Sequence, residues 1–515
     1  MVKCTPKKQN FRSFGTSNLK GWDNLPKVSV LKFIWALRDL RTAMDKVSRF
    51  FSNNGKPFII SVLKEQLVIL NNPSAGQQLL TSKDLEHGTK SPVFYSTLHD
   101  MLGKGVLTSK GEYWQMQRRL LSKGFTYSAL KRYTKIYNKC TKRLVTNLGT
   151  LFAKTFEYQQ INSLIHVCSI QIITETVMGL DTFKDTKEAE LIADSFNSLK
   201  NIALTRVRLA WLLMWDPIWK LHPLSREHDK NLKDVDAVIK TLIARQREFR
   251  DENVEKSRKL DSKQLDDDDL RNEDDIPFDN MLELMYKSGL NETQIMSEVK
   301  TLIWAGYETT SAAMHYLLFM LALNKNHQEA CRNEIDKIFD EPNVSPNGEL
   351  TMEGLSEMKH LEHCFLETLR MFPVVVSLTR FLESPLKIDD SLTIPAGVNA
   401  LLPLGSYHKM PEYFPSPEKF EPDRFLAENS AKRQALTFMP FSAGPRSCIG
   451  LKFAIMEAKT VVAHILREFE VHTSDKLEDI AIIPAMVSCP ERDYYFYLKR
   501  RNYHPENMDD EISIN

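Results

Sequence analysis

No long apolar run is present near the N-terminus of this 515-residue sequence. Residues 1–30 are polar and basic, and several lysines and one arginine precede the first acid, Asp23. A secretory signal peptide needs an apolar segment, and a membrane-spanning helix needs about 20 apolar residues, so neither is predicted here. We expect residues 1–27 to form a polar basic leader. A disordered leader is favoured over a mitochondrial presequence because the arginine content is low.

The seven cysteines are scattered, odd in number and never arranged as C-x-x-C. This pattern argues against a disulfide framework and indicates a reducing compartment. His360, His363 and Cys364 resemble a metal cluster in sequence. However, they fall on one helix continuous with Glu367, and no partner pair has zinc-finger spacing. The sequence therefore predicts no metal site there.

The net charge is only +1, so overall charge gives no argument for nucleic-acid binding. No G-x-G-x-x-G opens a βαβ unit, which argues against a bound flavin or nicotinamide nucleotide. With 42% hydrophobic and 26% charged residues, the chain has the composition of an ordinary globular protein with an ample core.

The most informative stretch is residues 441–450, with Cys448 at its chemical centre. Gly444 and Gly450 allow sharp turns and a close approach to a flat group. Arg446 can offer a bidentate fork to a carboxylate. Helical periodicity follows Gly450, so the cysteine stands at a helix N-terminus, where a thiolate is favoured. The alternative is that Cys448 is a small buried hydrophobic residue.

The pattern Phe-x-x-Gly-x-Arg-x-Cys-x-Gly resembles the haem-binding loop of the cytochrome P-450 superfamily. The resemblance implies a mainly α fold with small β-sheets and a haem between a long central helix and the helix that follows the cysteine. It makes Cys448 the thiolate ligand of the haem iron and assigns Phe441, Arg446 and Gly450 to cofactor binding. Phe441 would pack near the sulfur.

The long central helix is predicted to begin at Asn291, where Gln294 completes a capping box, and to end near Asn324. In its middle, residues 305–310 place a glycine, a glutamate and a threonine in an apolar run, which indicates a site or a helix-packing notch. The stretch resembles the oxygen-activation motif of the family. Gly306 would open room above the iron, while Glu308 and Thr309 would organise water and deliver protons.

Two further sets of residues match the family in order. Trp114 and Arg118 share one helix face and, with Arg380, resemble the residues that bind the haem propionates. Glu367 and Arg370 form an E-x-x-R pair that Arg424 of a later loop would complete, which in the family holds the haem-binding region. The resemblance covers residues 28–500.

Residues 440–459 and the entry to the central helix around Glu298 resemble the microsomal fatty-acid ω-hydroxylase branch. Many members of that branch carry a glutamate immediately before the glycine of the central motif, and this glutamate esterifies the haem. Here that position is Ala305, so the resemblance implies a non-covalently bound haem b.

The implied activity is insertion of one oxygen atom from O2 into a lipophilic substrate, such as a fatty acid, eicosanoid, sterol or xenobiotic. Electrons would come from an external NADPH-dependent reductase, because no fingerprint of a second cofactor is present. The alternatives are a haem-thiolate isomerase or dehydratase acting on peroxides, and a non-enzymatic haem sensor. The Glu308–Thr309 pair favours the monooxygenase.

Two groups of side chains are assigned to surfaces of the site. Candidate docking residues for an acidic reductase patch are Lys123, Lys131, Arg132, Lys432, Arg433 and Lys452. Expected apolar walls of the substrate pocket are Phe94, Tyr95, Trp304, Ala305, Thr309, Val374, Val375, Val376 and Met486.

Trp211, Trp215 and Trp219 recur at helical spacing and predict either a buried helix or an amphipathic segment that contacts a membrane surface peripherally. The implied location is the cytoplasmic face of the endoplasmic reticulum, with the mitochondrion as the alternative. Three further predictions are a helix at 28–52, a β-hairpin at 57–72 and a charged linker at 251–275. Residues 501–515 are predicted to form a polar tail.

Overall fold

The computed structural model describes residues 21–29, 57–62, 65–155, 157–179, 186–208, 216–261, 280–479, 481–483 and 485–501. Helices predominate in these ranges and the sheets are small, which confirms the predicted fold class. No helix among the described residues is both long and apolar enough to span a membrane.

The first half of the described chain contributes eight helices. They are α1 (Pro73–Thr81), α2 (Pro92–Leu102), α3 (Gly111–Ser122), α4 (Tyr127–Lys154), α5 (Asn162–Met178), α6 (Thr186–Arg208), α7 (Asp216–Leu221) and α8 (Pro223–Asp261). Eight more follow: α9 (Met281–Lys287), α10 (Glu292–Leu323), α11 (Lys325–Phe339), α12 (Met352–Glu357), α13 (Lys359–Met371), α14 (Leu404–Tyr407), α15 (Ala427–Lys432) and α16 (Leu451–Glu468).

The largest sheet has the strand order β1-β2-β3-β7-β4. Its strands are β1 (Lys27–Ser29), β2 (Phe58–Val62), β3 (Glu65–Ile69), β4 (Leu378–Phe381) and β7 (Asn399–Leu402). Three two-stranded sheets pair β5 (Leu386–Lys387) with β6 (Thr393–Ile394), β8 (Phe469–Thr473) with β11 (Phe496–Arg500), and β9 (Ile482–Ile483) with β10 (Cys489–Pro490). The predicted hairpin is confirmed, because β2 and β3 pair antiparallel with Phe58 opposite Ile69.

Helix α10 lies at the centre of the main core and packs against α5, α13 and α16. It is apolar on almost all sides, which is the pattern of a helix buried in the interior. Its start is fixed as predicted: Asn291 accepts the N–H of Gln294, and the Gln294 side chain accepts the N–H of Asn291. A second core lies between the large sheet and α1.

Several expectations about local structure were wrong. Val28 and Ser29 lie in strand β1 rather than in a helix, and residues 30–52 of that predicted helix lie outside the described residues. Trp22, placed in the leader, is buried in the second core. Helix α8 continues to Asp261, so only residues 262–275 of the predicted linker stay untested, because they lie outside the described residues.

For the segment of Trp211, Trp215 and Trp219, the structure favours the buried alternative at Trp219, the one of the three tryptophans that it describes. Trp219 is buried, and the guanidinium of Arg206 lies 4.3 Å from the centre of its ring. This indole is therefore covered by protein rather than presented to a membrane. Trp211 and Trp215 lie outside the described residues.

No partner pair with zinc-finger spacing was predicted for His360 and Cys364, but the fold brings a histidine and a cysteine of another helix next to them. Helix α11 packs against α13 and places His327 and Cys331 beside them. His363, the third residue of the cluster seen in the sequence, does not belong to this group.

Candidate active site

The loop of residues 441–450 closes on itself before α16 begins. The N–H of Cys448 donates to the carbonyl of Phe441 at 2.9 Å, and the N–H of Ser447 donates to the carbonyl of Gly444 at 3.0 Å. These bonds hold the Cys448 thiol inside the protein but facing a cavity. Burial raises the pKa of the thiol, while the Gly450 N–H and the charge of Arg118 oppose that rise.

The two glycines of this loop have different roles. Gly444 has φ +70, and a Cβ there would overlap the carbonyl oxygen of Leu80 at the end of α1. Gly444 therefore permits both a left-handed turn and a close approach of two backbones. Gly450 has φ −91, and a Cβ would lie 3.8 Å from Phe125, an ordinary contact. The chain does turn at Gly450, but in a backbone conformation that other residues also adopt.

A cavity lies between the cysteine loop and α10, with about 1630 Å³ of space not filled by protein atoms, part of it open to solvent. Most of its lining is apolar, and no aspartate or glutamate is among the described residues that line it. Of the predicted pocket walls, the lining includes Tyr95, Trp304, Ala305, Thr309, Val374, Val375 and Met486. Val376 does not line it, and the side chain of Phe94 lies outside the description.

Three cationic side chains line one end of this cavity, Lys90, Arg118 and Arg446. A fourth, Arg380, lines an adjoining pocket together with Arg118 and Arg446. Arg446 donates to the carbonyl of Ser109, but its Nε and Nη1 have no hydrogen-bond partner, and neither does Nη2 of the buried Arg380. Burial and the charge of Arg380 lower the pKa of Arg446 to about 9. Burying a cation that has no anionic partner costs free energy, so this end of the cavity is suited to bind an anion.

The two propionate carboxylates of a haem fit this cluster in charge and in hydrogen bonding. The structure brings together all the predicted propionate ligands, although the indole of Trp114 stacks on Arg446, 3.9 Å from its guanidinium, rather than on Arg118. Lys90 was missed. It stands in a loop before α2 with no motif around it, and only the tertiary structure shows that burial and the two arginines lower its pKa well below the ordinary value.

Helix α10 forms the wall opposite the cysteine loop. Ala305 and Thr309 line the cavity, and the Thr309 hydroxyl donates to the carbonyl of Ala305 at 2.8 Å. Gly306 also lines the cavity, but a Cβ there would lie 2.6 Å from Cγ1 of Ile173 on α5. The glycine therefore allows two helices to pack closely, as a packing notch does, and its role in opening room above the iron stays a prediction.

Glu308 does not face the cavity. Its carboxylate is buried and accepts a hydrogen bond from Lys200 of α6 at 2.6 Å. Burial raises the pKa of Glu308, but the charges of Lys200 and His166 and the Lys200 hydrogen bond outweigh it, so the pKa lies below the ordinary value. The glutamate is thus ionised behind the cavity wall, separated from the neighbouring Thr309 by the turn of the helix.

Glu367, Arg370 and Arg424 form the predicted triad. Arg370 donates twice to Glu367, at 2.7 and 2.8 Å, and Arg424 donates to the same carboxylate at 3.3 Å. Arg370 also donates to the carbonyls of His408 and Lys419. The triad therefore ties α13 to the segment that precedes the cysteine loop.

The candidate reductase-docking residues differ in exposure. Lys123, Lys131, Arg132, Lys432 and Lys452 are exposed. Arg433 is half-buried and is stacked 4.8 Å from the ring centres of both Phe414 and Phe425. Its part in docking stays a prediction.

Comparison with known proteins agrees with this geometry. The family model described as Cytochrome P450 matches residues 25–498. Probable cytochrome P450 4aa1 of Drosophila melanogaster is 32% identical over 402 residues, covering 77% of this chain and 73% of the relative. Cytochrome P450 4V2 of Mus musculus is 30% identical over 417 residues, covering 79% and 76%. Cytochrome P450 4c3 of Drosophila melanogaster is 29% identical over 432 residues, covering 82% and 78%. The chain therefore belongs to the cytochrome P450 family, and it is a monooxygenase that uses haem b with a cysteine thiolate ligand.

Proposed function

We propose that this monooxygenase oxidises a lipophilic substrate, of the fatty-acid, eicosanoid, sterol or xenobiotic class, with electrons from an external NADPH-dependent reductase. One observation carries the proposal. A largely apolar cavity, with no acid among the described residues that line it, separates the Cys448 thiol from the Thr309 hydroxyl, and the cationic cluster at its end is assigned to the propionates. The remaining walls offer a substrate apolar surface rather than charged partners.

Cys448 is assigned as the thiolate ligand of the haem iron, next to Phe441 and Gly450. Arg446, Arg380, Arg118 and Lys90 hold the propionates, with Trp114 packed on Arg446. When bound, haem supplies the chemistry that activates molecular oxygen, and electron donation from the thiolate favours cleavage of the O–O bond.

Thr309 and Glu308 are assigned to proton delivery. The Thr309 hydroxyl can hold a water or a proton at its Oγ1 on the cavity side, because its own hydrogen bond is made to the helix backbone. The ionised carboxylate of Glu308 forms an ion pair with Lys200 behind the cavity wall. Lys200 therefore sets how readily this carboxylate can take part in proton delivery.

The haem is proposed to be bound without a covalent ester, because Ala305, which lines the cavity, has only a methyl group. The reductase is proposed to dock at the exposed cations Lys123, Lys131, Arg132, Lys432 and Lys452, with the half-buried Arg433. We place the protein at the cytoplasmic face of the endoplasmic reticulum with a peripheral membrane contact, and the mitochondrion is the alternative. The similarity to the microsomal branch and the scattered cysteines support this placement.

The test starts with a substrate-binding spectral titration across fatty acids, eicosanoids, sterols and xenobiotics, followed by turnover of the best binder with NADPH and a purified reductase. Product is expected only when the reductase, NADPH and oxygen are all present. Cys448→Ser is expected to lose the Soret band that the reduced thiolate-haem protein shows with carbon monoxide. Cys489→Ser, at a half-buried cysteine of β10, is the control and should keep the band. A band that survives in Cys448→Ser contradicts the ligand assignment. Product from an organic peroxide alone, and none with reductase, contradicts the proposed electron source.

A further inference from the structure

Helices α11 and α13 carry the same pair of residues at the same spacing. His327 and Cys331 lie four apart on α11, and His360 and Cys364 lie four apart on α13. Residues at this spacing share one helix face, and the two helices pack against each other on these faces. Two histidines and two cysteines from two helices are thus brought together, one to two turns N-terminal on α13 to Glu367 and Arg370 of the triad.

The separations of the donor atoms match a tetrahedral metal site. Nδ1 of His327 lies 3.3 Å from Nε2 of His360, and Sγ of Cys331 lies 3.8 Å from Sγ of Cys364. Donor atoms of His327, His360 and Cys364 all lie within 4.8 Å of one another. With bonds of about 2.0 Å to nitrogen and about 2.3 Å to sulfur, the edges of a tetrahedron are roughly 3.3 Å and 3.8 Å.

We propose that His327, His360, Cys364 and Cys331 bind a zinc ion that joins α11 to α13. The first three form the compact group, and Cys331, in contact with Cys364, completes the coordination when its side chain turns toward the ion. Two imidazoles and two thiolates are the ligands that Zn²⁺ takes in structural sites. On binding, the two thiols release their protons to solvent and their sulfur lone pairs form the bonds to zinc, so no oxidant is needed.

The surroundings suit such an ion. Glu334 is not a ligand, because its carboxylate accepts the N–H groups of His360 and Leu361 and fixes the start of α13. Asp423 adds negative potential near the histidines.

The ion would have a way in. Both sulfurs are fully buried, but His327 is half-buried and lines an open surface cavity of about 640 Å³ together with Phe420 and Asp423. The ring of Phe420 stands edge-on to His327 and covers one side of the cluster. Zinc could therefore reach the buried sulfurs in the folded protein from the side of the histidine that lines the surface cavity.

The consequence for the enzyme lies in α13. This helix carries Glu367 and Arg370, which hold the segment before the cysteine loop. Zinc at the other end of the helix would fix α13 against α11 and so stiffen the support of the haem loop. Loss of zinc is therefore expected to speed haem loss on heating, without touching any residue of the cavity.

The experiment uses the full-length haem protein purified without chelator. The zinc and iron contents are measured by elemental mass spectrometry. The atoms that coordinate zinc are identified by X-ray absorption spectroscopy at the zinc edge. We expect about one zinc per chain with a mixed nitrogen and sulfur shell, as in structural sites. Protein depleted with a chelator and titrated with Zn²⁺ alone should regain the same shell and the same resistance to haem loss.

Single substitutions distinguish zinc binding at this site from adventitious binding elsewhere on the protein. Cys364→Ser and His327→Gln should bind zinc at least tenfold more weakly, because each removes one ligand of the compact group. His327 is half-buried, so His327→Gln is expected to fold even if Cys364→Ser does not. The carbon monoxide band checks that each variant is folded. His363→Ala, at the neighbouring histidine outside the group, is the matched control and should keep its zinc.

Three outcomes overturn the proposal. The first is zinc content that is equal in His327→Gln, His363→Ala and the unchanged protein, which means adventitious binding. The second is no uptake of Zn²⁺ by protein with an intact carbon monoxide band. The third is a Cys331–Cys364 disulfide found by peptide mapping without reduction, which means that the cysteine contact serves as a redox pair.

Discussion

Replacing each glycine of the cysteine loop by alanine tests how this loop is built. Gly444→Ala puts a Cβ on a residue with φ +70 and drives it into the carbonyl oxygen of Leu80. Gly450→Ala makes the same chemical change six residues later, at φ −91 with the nearest atom 3.8 Å away. The two variants differ in backbone conformation and packing, so each is the control for the other in stability; Gly450 also lines the cavity.

The expected magnitudes follow from these two geometries. At Gly444, the left-handed conformation costs about 1–2 kcal/mol, and pushing the end of α1 away costs about 1–3 kcal/mol more. At Gly450, alanine costs little in the folded state and reduces the freedom of the unfolded chain, so the change is expected within about 1 kcal/mol of zero.

Urea unfolding followed by circular dichroism gives the stability of both variants, and the carbon monoxide band per mole of chain gives correctly ligated haem. Gly444→Ala is expected to lose most of that band as well as stability, because the displaced turn carries Cys448. Gly450→Ala should retain its stability. Equal losses of stability in the two variants, or a normal band in Gly444→Ala, would refute the account of the loop.

Four further predictions test other parts of the protein. Thr309→Ala is expected to bind haem and substrate normally but to divert NADPH electrons to peroxide; unchanged coupling of NADPH consumption to product would argue against proton delivery at its hydroxyl. Because position 305 is alanine, acidic organic solvent should extract essentially all haem; haem retained on the intact chain in mass spectrometry would reveal a tether elsewhere. Glu367→Gln leaves the buried Arg370 without its carboxylate and should cost about 3–5 kcal/mol in urea unfolding, whereas Asp390→Asn, at an exposed ion pair, should cost almost nothing. Burial raises the pKa of Glu457 to about 8, so this carboxyl binds its proton more tightly in the folded state and destabilises the protein progressively as the pH rises from about 4.5 to 8. Glu457→Gln should therefore gain stability over the unchanged protein across that window, and a difference independent of pH would contradict the raised pKa.

The sequence by itself determined the fold class, the central helix with its capping box, the hairpin of β2 and β3, and the family. These features are local or lie in short motifs: a side chain that caps its own helix, or a cysteine with fixed neighbours, needs no knowledge of distant residues. The contacts of Glu367 with Arg370 and Arg424 were also predictable, because the family motifs occur in order.

Only the tertiary structure decided how the individual side chains are used. A helix motif does not say which neighbour a glycine or an acid meets, so the packing of Gly306 against Ile173 and the pairing of Glu308 with Lys200 depended on where α5 and α6 lie. The same holds for Lys90 and for the histidine and cysteine pairs of α11 and α13, whose members are 33 residues apart in the chain. Side chains far apart in sequence become partners only when the core brings their helices together, and burial then decides whether a charge or a thiol needs a ligand.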